Sequence, residues 1–162
     1  VTKEQDLQAI GACCYSSLEG MIDSLDCDYD RRDELQERAD SNDQDEALDD
    51  DELDELRELD ELAGDCESEG DADQRICEDP LSISVRSDWE VLGAELEPAE
   101  YQILLSTGGP ASRIVGELDQ YGEPASASLE VQDWFTPWTE YEGSDEEVLL
   151  RYAGRFCFGC YR

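Results

Sequence analysis

The chain has 162 residues, enough for one ordinary domain or two small ones. It carries 45 Asp plus Glu against 11 Lys plus Arg, with no His, for a formal net charge of -34. That balance excludes nucleic acid and anionic membrane surfaces as partners, because both are polyanions that repel the chain at a distance. The missing His removes imidazole general bases, catalytic triads and the commonest zinc ligands. With Lys3 the only lysine, Schiff-base chemistry and a P-loop lysine are removed as well. The composition points to a protein that is not an enzyme and holds no cofactor or metal.

The N-terminal half, residues 1–79, holds 30 acidic and 6 basic residues, net -24, and reads as an acidic helical region. Leu7, Ile10, Cys14, Leu18, Met21 and Leu25 recur at steps of three and four, which predicts a helix over about 3–27. A short, weakly apolar helix follows around 31–39, with Leu35 and Ala39 on one side. A third helix is expected from Asp45 to Ala63, closed by Gly64. Its leucines, Leu53, Leu56, Leu59 and Leu62, are three apart, so they wrap around about half the helix and form no single seam. Residues 64–79 are polar and acidic and read as a linker or loop.

Residues 80–162 carry net -10, all three Trp, all three Phe and all five Pro, and read as an α+β module. Leu81 to Arg86 alternates with period two, as a strand does. Residues 101–107 and 112–118 flank Gly108-Gly109-Pro110 and predict a hairpin, and residues 126–132 predict a further strand. Ser144 to Glu147 has a capping-box pattern, opening a helix whose Val148, Leu149, Tyr152 and Phe156 share a face. The fold class expected is therefore α+β: acidic helices, then an antiparallel β-meander with a C-terminal helix. The aromatic run Trp134 to Tyr141 closes the small core between sheet and helix, or else forms a protein-docking patch. Arg113 and Arg151 are expected to pair with local carboxylates.

The segment from Tyr101 to Phe158 contains Ser106-Thr-Gly-Gly-Pro110, Arg113-Ile-Val-Gly-Glu-Leu-Asp119, Tyr121-Gly-Glu-Pro124, Leu129-Glu-Val-Gln-Asp-Trp134 and Thr136-Pro-Trp138. It resembles a family of small proteins of unassigned function encoded by phages and other mobile elements. The resemblance spans a little over a third of the chain, and the acidic N-terminal half lies outside it. It implies a mobile-element setting, in which small acidic proteins commonly inhibit host defence enzymes.

From Asp45 to Leu62 the sequence places 11 carboxylates in 18 residues. As a helix this is about 27 Å long, roughly one charge per 2.5 Å, against about 1.7 Å for duplex DNA. The expected function is an anti-defence inhibitor, anti-CRISPR or anti-restriction. It would act as an acidic DNA mimic on the basic nucleic-acid-binding surface of a host defence protein, in the host cytoplasm and away from membranes. The candidate contacts are Asp45, Glu46, Asp49, Asp50, Asp51, Glu52, Asp54, Glu55, Glu58, Asp60 and Glu61. The alternative is a non-catalytic protein-binding adaptor whose acidic half serves solubility or halophilic adaptation. Two half-matches to a calcium loop, Asp26-Asp28-Asp30-Glu37 and Asp65-Glu67-Glu69-Gly70-Asp73, lack respectively the turn glycine and the closing glutamate. The seven cysteines, Cys13, Cys14, Cys27, Cys66, Cys77, Cys157 and Cys160, are odd in number and irregularly spaced. They read as reduced thiols filling a core, with a zinc site of Cys66, Cys77, Cys157 and Cys160 as the less favoured reading.

Overall fold

The computed structural model describes residues 2–41 and 47–159. Five helices and five strands follow in the order α1 (Lys3–Leu25), α2 (Tyr29–Asp40), α3 (Asp50–Ala63), α4 (Glu69–Glu78), β1 (Ser82–Ser87), β2 (Pro98–Ser106), β3 (Ala111–Glu117), β4 (Ser128–Gln132), β5 (Thr139–Glu140) and α5 (Glu146–Ala153). The class is α+β, with helices leading into an antiparallel meander and a closing helix. The chain divides into two compact units: Val1–Glu19 with Ile76–Arg162, and Gly20–Arg75. The division passes through α1 and α4, so the first part of α1 belongs with the sheet.

In the sheet unit the strands lie in sequence order, β1-β2-β3-β4-β5, every neighbour antiparallel. The register stacks Ile83, Ile103, Ile114 and Leu129 in one row across four strands. Period-two alternation puts these residues on one face, where Ile103, Ile114, Leu129 and Val131 are wholly buried. Leu149, Tyr152 and Ala153 of α5 are buried too, and α5 packs on β4. The first part of α1 joins the same unit through Cys14, whose thiol donates to the Ser112 hydroxyl at 3.4 Å, and through Gln8, which donates to the Glu140 carbonyl at 3.3 Å. Gly116 on β3 lies under the Ser126 carbonyl, which a Cβ would approach to 1.9 Å, so only glycine lets these chains come together. The Tyr101 ring lies alongside Gly116 and 4.6 Å from the Phe158 ring, and its hydroxyl donates to the Ser126 carbonyl at 2.8 Å. Burial pushes the Tyr101 hydroxyl well above the ordinary phenol range.

In the helical unit Cys27, Tyr29, Ala63, Cys66 and Ala72 form a small buried cluster, with Leu25, Leu59 and Leu62 packed against it. Tyr29 donates to the Ser24 carbonyl at 2.9 Å, and burial pushes its hydroxyl up to about 12. The wrapped leucines of α3 divide as their angles require: Leu56 is buried, Leu59 and Leu62 pack on the cluster, and Leu53 is left 44% exposed.

Several expectations are corrected. Helix α3 starts at Asp50 and not at Asp45, because Asp49 caps it: its carboxylate accepts from the Glu52 N–H at 2.8 Å and Glu52 returns the bond at 3.2 Å. Residues 69–78, read as part of a linker, form α4. There Ser68 accepts from the Asp71 N–H at 3.1 Å, and Ala72 and Ile76, one turn apart, are both fully buried. The cap of α5 is Asp145, not Ser144, whose hydroxyl donates to the Tyr141 carbonyl instead. Cys13, Cys14, Cys27, Cys66 and Cys77 are free thiols, but Cys157 is disulfide-bonded, which removes it from any C-x-x-C metal site. Cys160 lies outside the described residues. No helix among the described residues is long and apolar enough to cross a membrane.

Candidate functional site

Residues 20–75 contain 25 acidic and 5 basic residues, net -20. Within this unit α2 and α3 are held together by arginines of one helix and carboxylates of the other. Arg38 binds Glu52 through two N–H groups at 2.5 and 2.8 Å, and Arg31 binds Glu55 through two at 3.0 and 2.9 Å. Arg32 donates to Asp60 at 2.8 Å and to the Cys66 carbonyl at 3.4 Å. The Arg38 and Arg31 guanidiniums hold the Glu52 and Glu55 carboxyls below the ordinary glutamate range, and the Asp49 N–H adds to this at Glu52. Each two-bond pair fixes orientation as well as charge, so these carboxylates are committed to the fold.

The candidate contacts therefore fall into distinct groups. Asp45 and Glu46 lie outside the described residues. Asp49 is the cap of α3, while Glu52, Glu55 and Asp60 face α2 and are taken by its arginines. Asp50, Asp51, Glu58 and Glu61 are exposed, and no hydrogen bond or ion pair engages their side chains among the described residues. Asp54 joins them, paired only with Arg57 one turn on, at 2.8 Å. At 3.6 residues per turn these five carboxylates occupy about 100° of arc, an outward stripe from Asp50 to Glu61. The stripe is about 16 Å long and, after allowing for Arg57, presents about one net charge per 4 Å. One DNA strand carries one per about 3.4 Å and the duplex one per about 1.7 Å, so the exposed stripe matches a single strand.

No family model, curated protein or solved structure matches this chain.

A plain charge count does not show the roles of Arg31, Arg32 and Arg38. Their signal was present: Arg31, Leu35 and Arg38 are four and three apart, one helix face with a fully buried leucine at its centre. In the first calcium half-match, Asp28 is the cap of α2, accepting from the Arg31 N–H at 3.0 Å. Among the described residues no three acidic or thiol groups are placed to hold a metal ion.

The sheet unit carries an open groove of about 670 Å³ on the polar face of the sheet. Arg113 lies in it, donating to Glu130 at 2.7 Å and Gln102 at 2.7 Å, with its guanidinium 4.2 Å from the centre of the Trp138 ring. Arg86 pairs with Glu100. Both guanidiniums of the groove are thus occupied by carboxylates, and Glu117, Glu140 and Glu146 add further negative charge to its walls. Trp138 accordingly lies on the polar face. Trp134 and Phe135 do not close a core either: they are 63% and 97% exposed, on a turn that holds Phe135 at φ 65°.

Proposed function

We propose that this protein is an inhibitor of the anti-CRISPR or anti-restriction kind that seats its acidic helical unit in the basic nucleic-acid groove of a host nuclease. The observation that carries the reading is the sorting of carboxylates on α3. Those facing α2 are neutralised by arginines, and those facing outward are left charged at the spacing of a DNA strand. Retaining this much like charge destabilises a compact state, and a basic partner offsets that cost. The mechanism is exclusion: the stripe occupies arginine and lysine positions that phosphates would occupy, and no bond of the target or its substrate is broken.

The test is a DNA-binding competition against a panel of CRISPR effector complexes and restriction endonucleases. The wild-type protein should displace duplex DNA from its target, more weakly as salt rises. The variant Asp50→Asn, Asp54→Asn, Glu58→Gln, Glu61→Gln should lose at least about tenfold in potency while keeping its helical signal. A control with equal charge removed from the sheet unit, at Glu19, Glu117, Glu123 and Glu142, should keep it. Equal loss in both variants, or none in the first, sinks the proposal.

A further inference from the structure

We propose that the loop between β1 and β2, Asp88 to Glu97, is a second docking element whose partner is a protein surface with an apolar slot rimmed by lysine or arginine. This loop belongs to the sheet unit and plays no part in the acidic stripe of the helical unit.

Its side chains break the usual division between inside and outside. Trp89 and Leu92 are fully exposed, and Val91 and Leu96 are 79% and 68% exposed, although every one of them is large and apolar. Scattered exposed leucines need no explanation, but four such residues within eight positions make a contiguous feature of the kind that marks an interaction site. The loop is also shaped. The Ala94 N–H donates to the Val91 carbonyl at 3.0 Å and Gly93 sits at φ 94°, a tight turn that glycine alone accommodates without strain and that holds Leu92 at its tip. Trp89 and Leu96 line one cleft of about 500 Å³, with the Arg86–Glu100 ion pair on its wall. A preset turn lowers the ordering cost that a flexible apolar loop would meet on binding.

Charge identifies the occupant. Asp88, Glu90, Glu95 and Glu97 alternate with the apolar side chains, and the segment contains no Lys or Arg. A surface that accepts Trp89 and Leu92 must therefore meet four carboxylates around them, which selects a basic rim about an apolar floor. A second copy of the chain is disfavoured because each copy carries -34. A lipid surface is disfavoured because interfacial loops rely on Lys or Arg beside their aromatics, and here the neighbours are acidic.

The experiment uses the full chain labelled with 5-fluorotryptophan, whose three tryptophan signals are assigned with Trp89→Phe. The probes are an amphipathic helical peptide of leucine and lysine and a scrambled peptide of identical composition. The amphipathic peptide should shift the Trp89 signal and bind at least about tenfold more tightly than the scrambled one, and Leu92→Asp should abolish that difference. The stripe variant at Asp50, Asp54, Glu58 and Glu61 should retain it, which separates this proposal from the inhibitor reading. Equal affinity for both peptides, or a Trp89 signal that does not move, overturns the proposal. So does a Trp89 shift that follows protein concentration alone, which assigns the loop to a second copy. A shift on neutral phosphatidylcholine vesicles in place of peptide assigns it to lipid and overturns the proposal equally.

Discussion

At the scale of single residues, two glycines with the same chemistry face opposite surroundings. A methyl group at Gly116 would collide with the Tyr101 ring, which strand pairing holds beside it, and with the Ser126 carbonyl, whose segment is tied to Glu117 by backbone and side-chain hydrogen bonds. Gly116→Ala should therefore destabilise by about 3 kcal/mol or more, the upper end of overpacking effects. Gly20, on α1, has nothing near the position of an added Cβ, and Gly20→Ala should stabilise by about 0.5–1 kcal/mol through helix propensity. Thermal melts of the two variants should move in opposite directions. Neither outcome is legible in the sequence, where both are glycines in otherwise ordinary runs. Ile114 and Leu129 were legible, because alternation alone assigns them to the buried face. Trp134 and Phe135 were not: an aromatic pair after a strand reads more readily as core, and only the turn beneath it shows otherwise. The Asp133–Thr136 hydrogen bonds that form this turn point the pair outward.

At the scale of elements, the pairing of α2 with α3 makes a prediction about pH. Glu52 and Glu55 titrate below the ordinary glutamate range because Arg38 and Arg31 bind their charged forms. A depressed folded-state pKa contributes stability that is complete above the unfolded value and is lost as pH falls through the folded one. The two helices should therefore stay paired down to the ordinary glutamate range and separate below it. Following the Arg31 Nε–H and Arg38 Nη–H signals by NMR as acid is added measures this, and loss of either signal's pairing shift well above that range contradicts it. Both side chains are solvent-accessible, so each pair contributes modestly, in keeping with surface ion pairs generally. Helices α1, α2 and α3 were legible from periodicity, with Gly64 closing α3, but the Asp28 and Asp49 caps that open α2 and α3 were not. Helix α4 was hidden because its buried apolar residues are one Ala and one Ile four apart within an acidic run, too little signal for a periodic reading. Strand β5 was hidden by its length of two residues, which holds no period at all.

At the scale of the whole molecule, the charge divides as -20 over residues 20–75 and -14 over the remaining 106. The like-charge density is highest where the buried cluster is smallest, so screening acts most strongly on the helical unit. Raising salt from low levels should raise the melting temperature, with most of the gain complete near 0.15 M, where the Debye length is about 8 Å. Potassium and sodium chloride should act alike. Melting followed by far-UV circular dichroism checks this, and a gain that continues into molar potassium chloride supports halophilic adaptation instead. The sequence made the charge and its asymmetry plain. It did not make plain that the first part of α1 joins the sheet unit, because the same apolar stripe serves residues assigned to both units.

Helix α1 opens with Lys3, which is exposed and carries the only ε-amine in the chain. Acylation of side-chain amines, whether by a fluorophore ester, a biotin ester or a surface-coupling reagent, therefore converges on one point of the sheet unit. The five-carboxylate stripe and the Asp88–Glu97 loop contain no lysine and stay chemically untouched under the same conditions. A bead or sensor surface coupled through Lys3 would leave both proposed contact surfaces free of the linker.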